Sequence, residues 1–160
     1  MNINNILFPT DFSERNANAL DYASSMATAT GAMLHIVHVD DLSDLIAVAG
    51  PEGYVYTKAL EGPDRKELKA QLEKIKPTIS SVAYKHHFLQ GVPSAEIRAL
   101  AESENIDLIV MSSHGRTGLS RLLMGSVAEN VLRYAKCPVL ILKQPEVGRD
   151  SQATEEAAGH

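Results

Sequence analysis

The sequence predicts an α/β fold, a three-layer sandwich on a five-stranded parallel sheet of order 3-2-1-4-5 with helices on both faces. Three observations carry it. Five short apolar runs, at residues 6–8, 33–39, 82–89, 108–111 and 138–143, alternate with four stretches of helical periodicity. Strands joined through helices run parallel with right-handed crossovers, and an all-parallel sheet needs a helical layer on each face. The third run alternates apolar with polar residues, as an edge strand with one wet face does. With that run at an edge, strands one and four lie side by side. Their carboxyl ends then flank the topological switch point, where open α/β sheets bind ligands.

Each element has its own local cause. Ile6-Leu7-Phe8 reads as a buried first strand ending in the polar turn Pro9-Thr10-Asp11. Ser13 is placed to cap the next helix, where Ala17, Leu20, Ala23, Ser24 and Ala27 share one small-residue face suited to close packing on a sheet. Gly31 stops that helix. Met33 to Val39 forms the second strand, which ends at Asp40-Asp41. Residues 41–62 read as an insertion, with Leu42, Leu45, Ile46 and Val48 allowing one helical turn before Pro51, Gly53, Gly62 and Pro63 break the pattern. Such a segment can serve as a flap over the site. Its Tyr54 and Tyr56 either stack on a ligand or pack within the protein.

From Asp64 the chain turns helical, with Leu68, Leu72 and Ile75 one turn apart until Pro77 intervenes. After the alternating run Val82 to Leu89, Gly91-Val92-Pro93 leads into a helix that turns Ile97, Leu100 and Ala101 inward. Leu108 to Met111 is the fourth strand. The last helix is expected to bury Val127, Val131 and Leu132 and to close near Ala135-Lys136. A final strand covers 138–143. The polar tail 144–160 is expected to be disordered, which leaves 1–143 as one domain.

Composition narrows the function. With 160 residues, 44% hydrophobic and 22% charged, the chain can bury a full core. A net charge of −5 argues against a general binder of nucleic acid or anionic membrane. No apolar run approaches the roughly 20 residues of a membrane helix. The opening Met1-Asn2-Ile3-Asn4-Asn5 lacks the basic and apolar regions of a signal peptide. Cys137, the single cysteine, reads as a small packed residue, and a reducing cytoplasm fits it.

The chemistry concentrates between Ser112 and Ser126, a strand–loop–helix junction of the kind that binds anions. Ser126 and Glu129 have capping-box spacing. Gly115, Gly118 and Gly125 either let backbone approach a phosphate, some with positive φ, or simply joint the loop. Arg116 and Arg121 either add charge-assisted hydrogen bonds or face solvent. Asp11 suits a ribose hydroxyl or Mg²⁺, or a helix N-terminus. His114 is expected to orient the loop. No Gly-x4-Gly-Lys-Ser/Thr or Gly-x-Gly-x-x-Gly motif occurs, so kinase- or ATPase-like turnover lacks its usual lysine. His35 and His38 fall on opposite faces of one strand, and His86 and His87 point apart. No metal-ligand spacing emerges, and no metal or catalytic residue is assigned.

These residues resemble the universal stress protein family over roughly residues 2–143. Its ATP-binding branch carries a Gly-x2-Gly-x9-Gly-Ser/Thr loop. Here Ser112 takes the place of the first glycine, Gly115 and Gly125 match the second and third, and Ser126 closes the motif. Pro9-Thr10-Asp11-Phe12-Ser13, His38-Val39-Asp40 and Cys137 to Ile141 are similar to the family too. The resemblance implies that Pro9, Thr10 and Asp11 touch adenine and ribose, and that Val39 offers backbone atoms to the adenine edge. It implies that Met111, Ser112, Gly115, Arg116, Gly125, Ser126 and Val127 complete the nucleotide site, for ATP, ADP or AMP with Mg²⁺. It further implies a homodimer through Val139 to Leu142 and an unknown regulatory protein partner. The function so implied is a stress-response module with at most weak ATP hydrolysis. The alternatives are a slow ATPase or phosphotransferase, and a purely protein-interacting member. If φ at Ser112 is negative and its Cβ points away from the ligand, the serine costs little; positive φ costs about 1–2 kcal/mol and, with a clash, weakens binding at least about tenfold.

Overall fold

The computed structural model of the chain describes residues 2–42, 64–113 and 124–143. The elements run β1 (Asn5–Pro9), a 3-10 turn (Glu14–Asn16), α1 (Ala17–Thr30), β2 (Met33–Asp41) and α2 (Arg65–Lys74). They continue with β3 (Tyr84–Gly91), α3 (Pro93–Ser103), β4 (Leu108–Ser112), α4 (Ser126–Tyr134) and β5 (Val139–Leu142). All pairings are parallel and the order is β3-β2-β1-β4-β5, as expected. The predicted insertion at 41–62 lies outside the described residues apart from Asp41 and Leu42, and the tail 144–160 lies wholly outside them.

Period-two alternation divides the sheet into two faces. Ile6, Phe8, Leu34, Ile36 and Val110 pack with Ala19, Ala23 and Ala27 of α1 and Leu72 of α2. On the other face Leu7, Val37 and Ile109 pack with Ile97, Leu100 and Ala101 of α3 and with Ala128 and Val131 of α4. Helices therefore cover both faces, which is why β1 and β4 are continuously buried while β3, at an edge, is only half-buried.

Local details correct the sequence reading in four places. Ala17 is exposed and Ala19 takes its place in the core. The rest of the expected face holds: Ala23, Ser24 and Ala27 are buried with Ala19. Leu132 is 46% exposed rather than inward. Ser13 sits at the N-cap of the 3-10 turn and makes no side-chain cap bond. The capping box at Ser126 does not form: Gly125 occupies the N-cap, and Ser126 is already helical. Glu129 instead donates its N–H to the Gly125 carbonyl at 2.9 Å, an ordinary helical bond. Gly31 does close α1, at φ 73. Cys137 is a free, half-buried thiol packed against the α3/α4 face, and burial raises its pKa.

Ile36 is fully buried in the α1/α2 face. Ile36→Ala is expected to cost about 2–5 kcal/mol of folding stability in urea denaturation. Tyr22→Ala, at a residue 51% exposed, is expected to change it by less than about 0.5 kcal/mol.

Candidate functional site

β1 and β4 pair only at Ile6–Leu108 and Leu7–Ile109. Beyond those pairs β1 leads to α1 on one face and β4 leads to α4 on the other, so the carboxyl ends part. A cleft of about 330 Å³ opens there. Its lining includes Pro9, Thr10, Asp11, Val39, Met111, Ser112, Gly125, Ser126 and Val127. The sequence-predicted site residues Gly115 and Arg116 lie outside the described residues, as do His114, Gly118 and Arg121. Asn16, Val37, His38, Asp41, Pro93, Ile97 and Ala128 also line the cleft and were not singled out for it.

The β1 wall is held by a dense set of short-range bonds. Asp11 Oδ1 accepts from the Ser13 N–H at 3.0 Å and from Asn16 Nδ2 at 2.6 Å. Thr10 Oγ1 accepts from the Phe12 N–H at 3.1 Å. Phe12 itself sits at φ 66, a left-handed conformation unusual for a bulky residue. What holds it there is a stack on the His38 ring, centroids 4.0 Å apart. His38 Nδ1 lies 2.8 Å from the Thr10 carbonyl. A carbonyl only accepts, so Nδ1 carries the hydrogen. Asn16 and His38 thus fix the Thr10–Asp11 turn from both sides. Asn16 closes the 3-10 turn, which brings its side chain back to Asp11, and no pattern in the sequence marks that return.

The β2 wall offers backbone groups. Thr10 N–H bonds the Val37 carbonyl at 2.8 Å, so Val37 turns its polar backbone toward β1. Val39, two residues on, turns its N–H and C=O to the same side. The β1–β2 ladder has by then ended, at Pro9–Val37. A donor and an acceptor therefore face the cleft side by side, with no strand to pair them.

The third wall is the β4–α4 junction. Ser113 donates its N–H to the Leu142 carbonyl at 3.0 Å, and Gly125 donates to the Ser113 carbonyl at 2.8 Å, tying the helix entry to the strand. Gly125 has φ −62, so positive φ is not its role; the missing side chain leaves room. The N–H groups of Ser126, Val127 and Ala128 begin α4, and first-turn N–H groups have no partner within their helix. Ser112 ends β4 with φ outside the positive region, whose non-glycine residues are Phe12 and Asn105 among those described. The serine is therefore unstrained. Its residue is 7% exposed, and its Oγ is buried without a hydrogen-bond partner among the described residues. Buried hydroxyls are rarely left so, and this one lines the cleft.

The sequence model of the Universal stress protein family matches residues 2–143. Universal stress protein MJ0577 of Methanocaldococcus jannaschii is 36% identical over 152 residues, covering 87% of this chain and 94% of its own length. The solved structure of MJ0577 is similar with a TM-score of 0.72 at 33% identity, over 91% of this chain and 99% of that one. Two further solved structures share the fold. One is a universal stress protein in complex with cAMP, with a TM-score of 0.58 at 24% identity, over 89% of this chain and 98% of that one. The other is a universal stress protein of Archaeoglobus fulgidus in complex with dAMP, with a TM-score of 0.56 at 22% identity, over 88% of this chain and 98% of that one.

Two substitutions test the walls in ligand-free protein. Asn16→Ala removes a donor to Asp11 and is expected to cost about 1–3 kcal/mol in urea denaturation. Ser112→Ala removes a hydroxyl that has no partner among the described residues and is expected to leave stability unchanged or raise it; a loss above about 1 kcal/mol contradicts the assignment.

Proposed function

This chain belongs to the universal stress protein family, and we propose that it acts there as an adenine-nucleotide-binding, stress-response regulatory module. The observation that carries the reading is the buried Ser112 hydroxyl, without a partner among the described residues, beside the N-terminus of α4 in a cleft at the switch point. An anion-binding helix start, an orphan hydroxyl and the paired Val39 donor and acceptor suit the phosphates, the ribose and the adenine edge of one ligand. A volume of about 330 Å³ lies at the small end of ligand pockets, which suits a nucleoside whose phosphates extend along α4. Relatives solved with cAMP and dAMP support an adenine ligand.

In this reading Pro9, Thr10 and Asp11 flank the adenine and ribose, with the turn pre-set by Asn16 and His38. Met111, Ser112, Gly125, Ser126 and Val127 receive the phosphates, together with Gly115 and Arg116. Mg²⁺ accompanies ATP as the phosphate counter-ion. The chain offers positioning rather than a nucleophile or a P-loop lysine, so occupancy rather than turnover is the signal. The cytoplasm is the proposed compartment. A homodimer through β5, an edge strand of the sheet, is part of the proposal. The Pro138 and Leu142 carbonyls face β4. By the period-two rule the backbone groups of Val139 and Ile141 face outward, free to meet a second copy. A regulatory protein partner then reads the occupied dimer.

The chain has no Trp and 5 Tyr, so a bound adenine nucleotide distorts its 260-to-280 nm absorbance ratio. Purified protein is expected to release adenine nucleotide on heating, identified by mass spectrometry. Calorimetry is expected to show ATP, ADP or AMP binding in Mg²⁺. Absence of both sinks the reading. Steady phosphate release abolished by Asp11→Ala replaces it with a slow ATPase. Gly125→Val keeps an allowed backbone at φ −62 yet fills the cleft; it is expected to abolish nucleotide binding while sedimentation still reports a dimer. Unchanged affinity in that variant refutes the phosphate wall.

A further inference from the structure

Away from the cleft, the sheet brings together two histidines that lie 52 residues apart in sequence. β2 and β3 pair with His35 opposite Lys85 and Val37 opposite His87, so His35, Lys85 and His87 project from one face. His35 Nδ1 and His87 Nε2 are 3.0 Å apart, and the rings are nearly parallel at 11°. Glu104 arrives from the C-terminal end of α3, its Oε2 3.8 Å from His35 Nδ1. One donor atom from each of the three side chains lies within 4.8 Å of the others.

We propose that His35, His87 and Glu104 form a binding site for a first-row transition-metal ion of the Zn²⁺ class. Tetrahedral donors about 2.0–2.1 Å from Zn²⁺ stand about 3.3–3.4 Å from one another. The His35–His87 pair needs to open, and the His35–Glu104 pair to close, by only a few tenths of an ångström. An N,N,O set of two imidazoles and a carboxylate suits Zn²⁺ or Co²⁺, whereas Mg²⁺ and Ca²⁺ take oxygen ligands. Three protein ligands leave a fourth position for water.

The surroundings fix the ligand atoms as a metal site requires. His35 Nε2 lies 3.3 Å from Asn5 Oδ1, and Asn5 Nδ2 donates to the Asn105 carbonyl at 3.4 Å. The second bond sets the amide so that its oxygen faces His35. That oxygen only accepts, so the hydrogen is on Nε2 and the Nδ1 lone pair points at His87 and Glu104. A second-shell carbonyl that fixes the tautomer is the usual companion of a metal-bound histidine. Glu104 closes α3 at the negative end of its dipole, which favours a cation. Without metal, His87 Nε2–H donates to His35 Nδ1; to bind metal through Nε2 the neutral ring takes its other tautomer, with the hydrogen on Nδ1.

Lys85 Nζ is the competitor, 3.2 and 3.3 Å from the two Glu104 oxygens. Its side chain is 53% exposed, so it swings into water when a metal takes its place. The site is distinct from the nucleotide cleft: Val39 is four residues further along β2 than His35, about 13 Å. A metal here joins edge strand β3 to β2 and to α3.

The test uses the full chain, freed of metal with EDTA and of nucleotide, titrated with ZnCl2 by calorimetry and with CoCl2 by visible absorbance. One equivalent of Zn²⁺ is expected to bind and raise the melting temperature, with Co²⁺ giving intense d–d bands of a four-coordinate site. His87→Ala and Glu104→Gln are expected to weaken Zn²⁺ binding at least about tenfold. His86→Ala, whose ring bonds the Ile75 carbonyl on the opposite face, is expected to leave it unchanged. Lys85→Ala is expected to tighten it severalfold, a gain that misfolding cannot imitate. Absence of saturable Zn²⁺ or Co²⁺ binding to the unsubstituted chain overturns the proposal. So does binding that His87→Ala and Glu104→Gln leave unchanged.

Discussion

The cleft depends on β1 and β4 being parallel neighbours whose chains leave the sheet on opposite faces. The ladder between them is two residue pairs long. Had both continued to helices on the same face, the space beyond Leu7 and Ile109 would be closed by a crossover. Because α1 and α4 lie on different faces, the turn after Pro9 and the junction before Ser126 become opposing walls. The third wall follows from a mismatch in length: β2 runs nine residues and β1 five. The unpaired end of the longer strand is what leaves Val39 backbone groups facing the cleft.

How much of this was legible in the sequence follows from the range of each signal. Apolar runs and helical faces are local, so all five strands, the four helices and the edge position of β3 could be read directly, and order followed from topology. Phase was less secure where a short element intervened. Next to the 3-10 turn, Ala17 was read as buried where Ala19 is, and a glycine N-cap turned Ser126 from a cap into a first helical residue. Nine of the eleven site residues expected from sequence line the cleft; Gly115 and Arg116 lie outside the described residues. The supports Asn16 and His38 were missed as site residues because their partners are backbone and side-chain atoms of the turn, which carry no pattern of their own.

The histidines show the same limit more sharply. Within β2, His35 and His38 do point to opposite faces, and within β3 His86 and His87 do point apart: His38 stacks on Phe12 while His35 meets His87. Spacing along one strand therefore gave a correct account of each strand and no account of the pair. The pairing is set by register, here Ile36 opposite His86. A shift of one residue would turn His87 to the other face. Burial and the neighbouring Lys85 both hold the His35 and His87 pKa values below the ordinary imidazole value, with Glu104 acting against them.

Ser112 joins the fold to its function. As a strand residue it is ordinary: extended, buried, paired with Leu142 of β5. A glycine there would leave the backbone no better placed, since no positive φ is required. What serine adds is one hydroxyl, which has no partner among the described residues. A buried donor that nothing satisfies costs about 1–3 kcal/mol. A group that enters the cleft and bonds to the hydroxyl recovers that cost. For the ligand proposed here, the serine therefore offers a directional contact at the cleft wall.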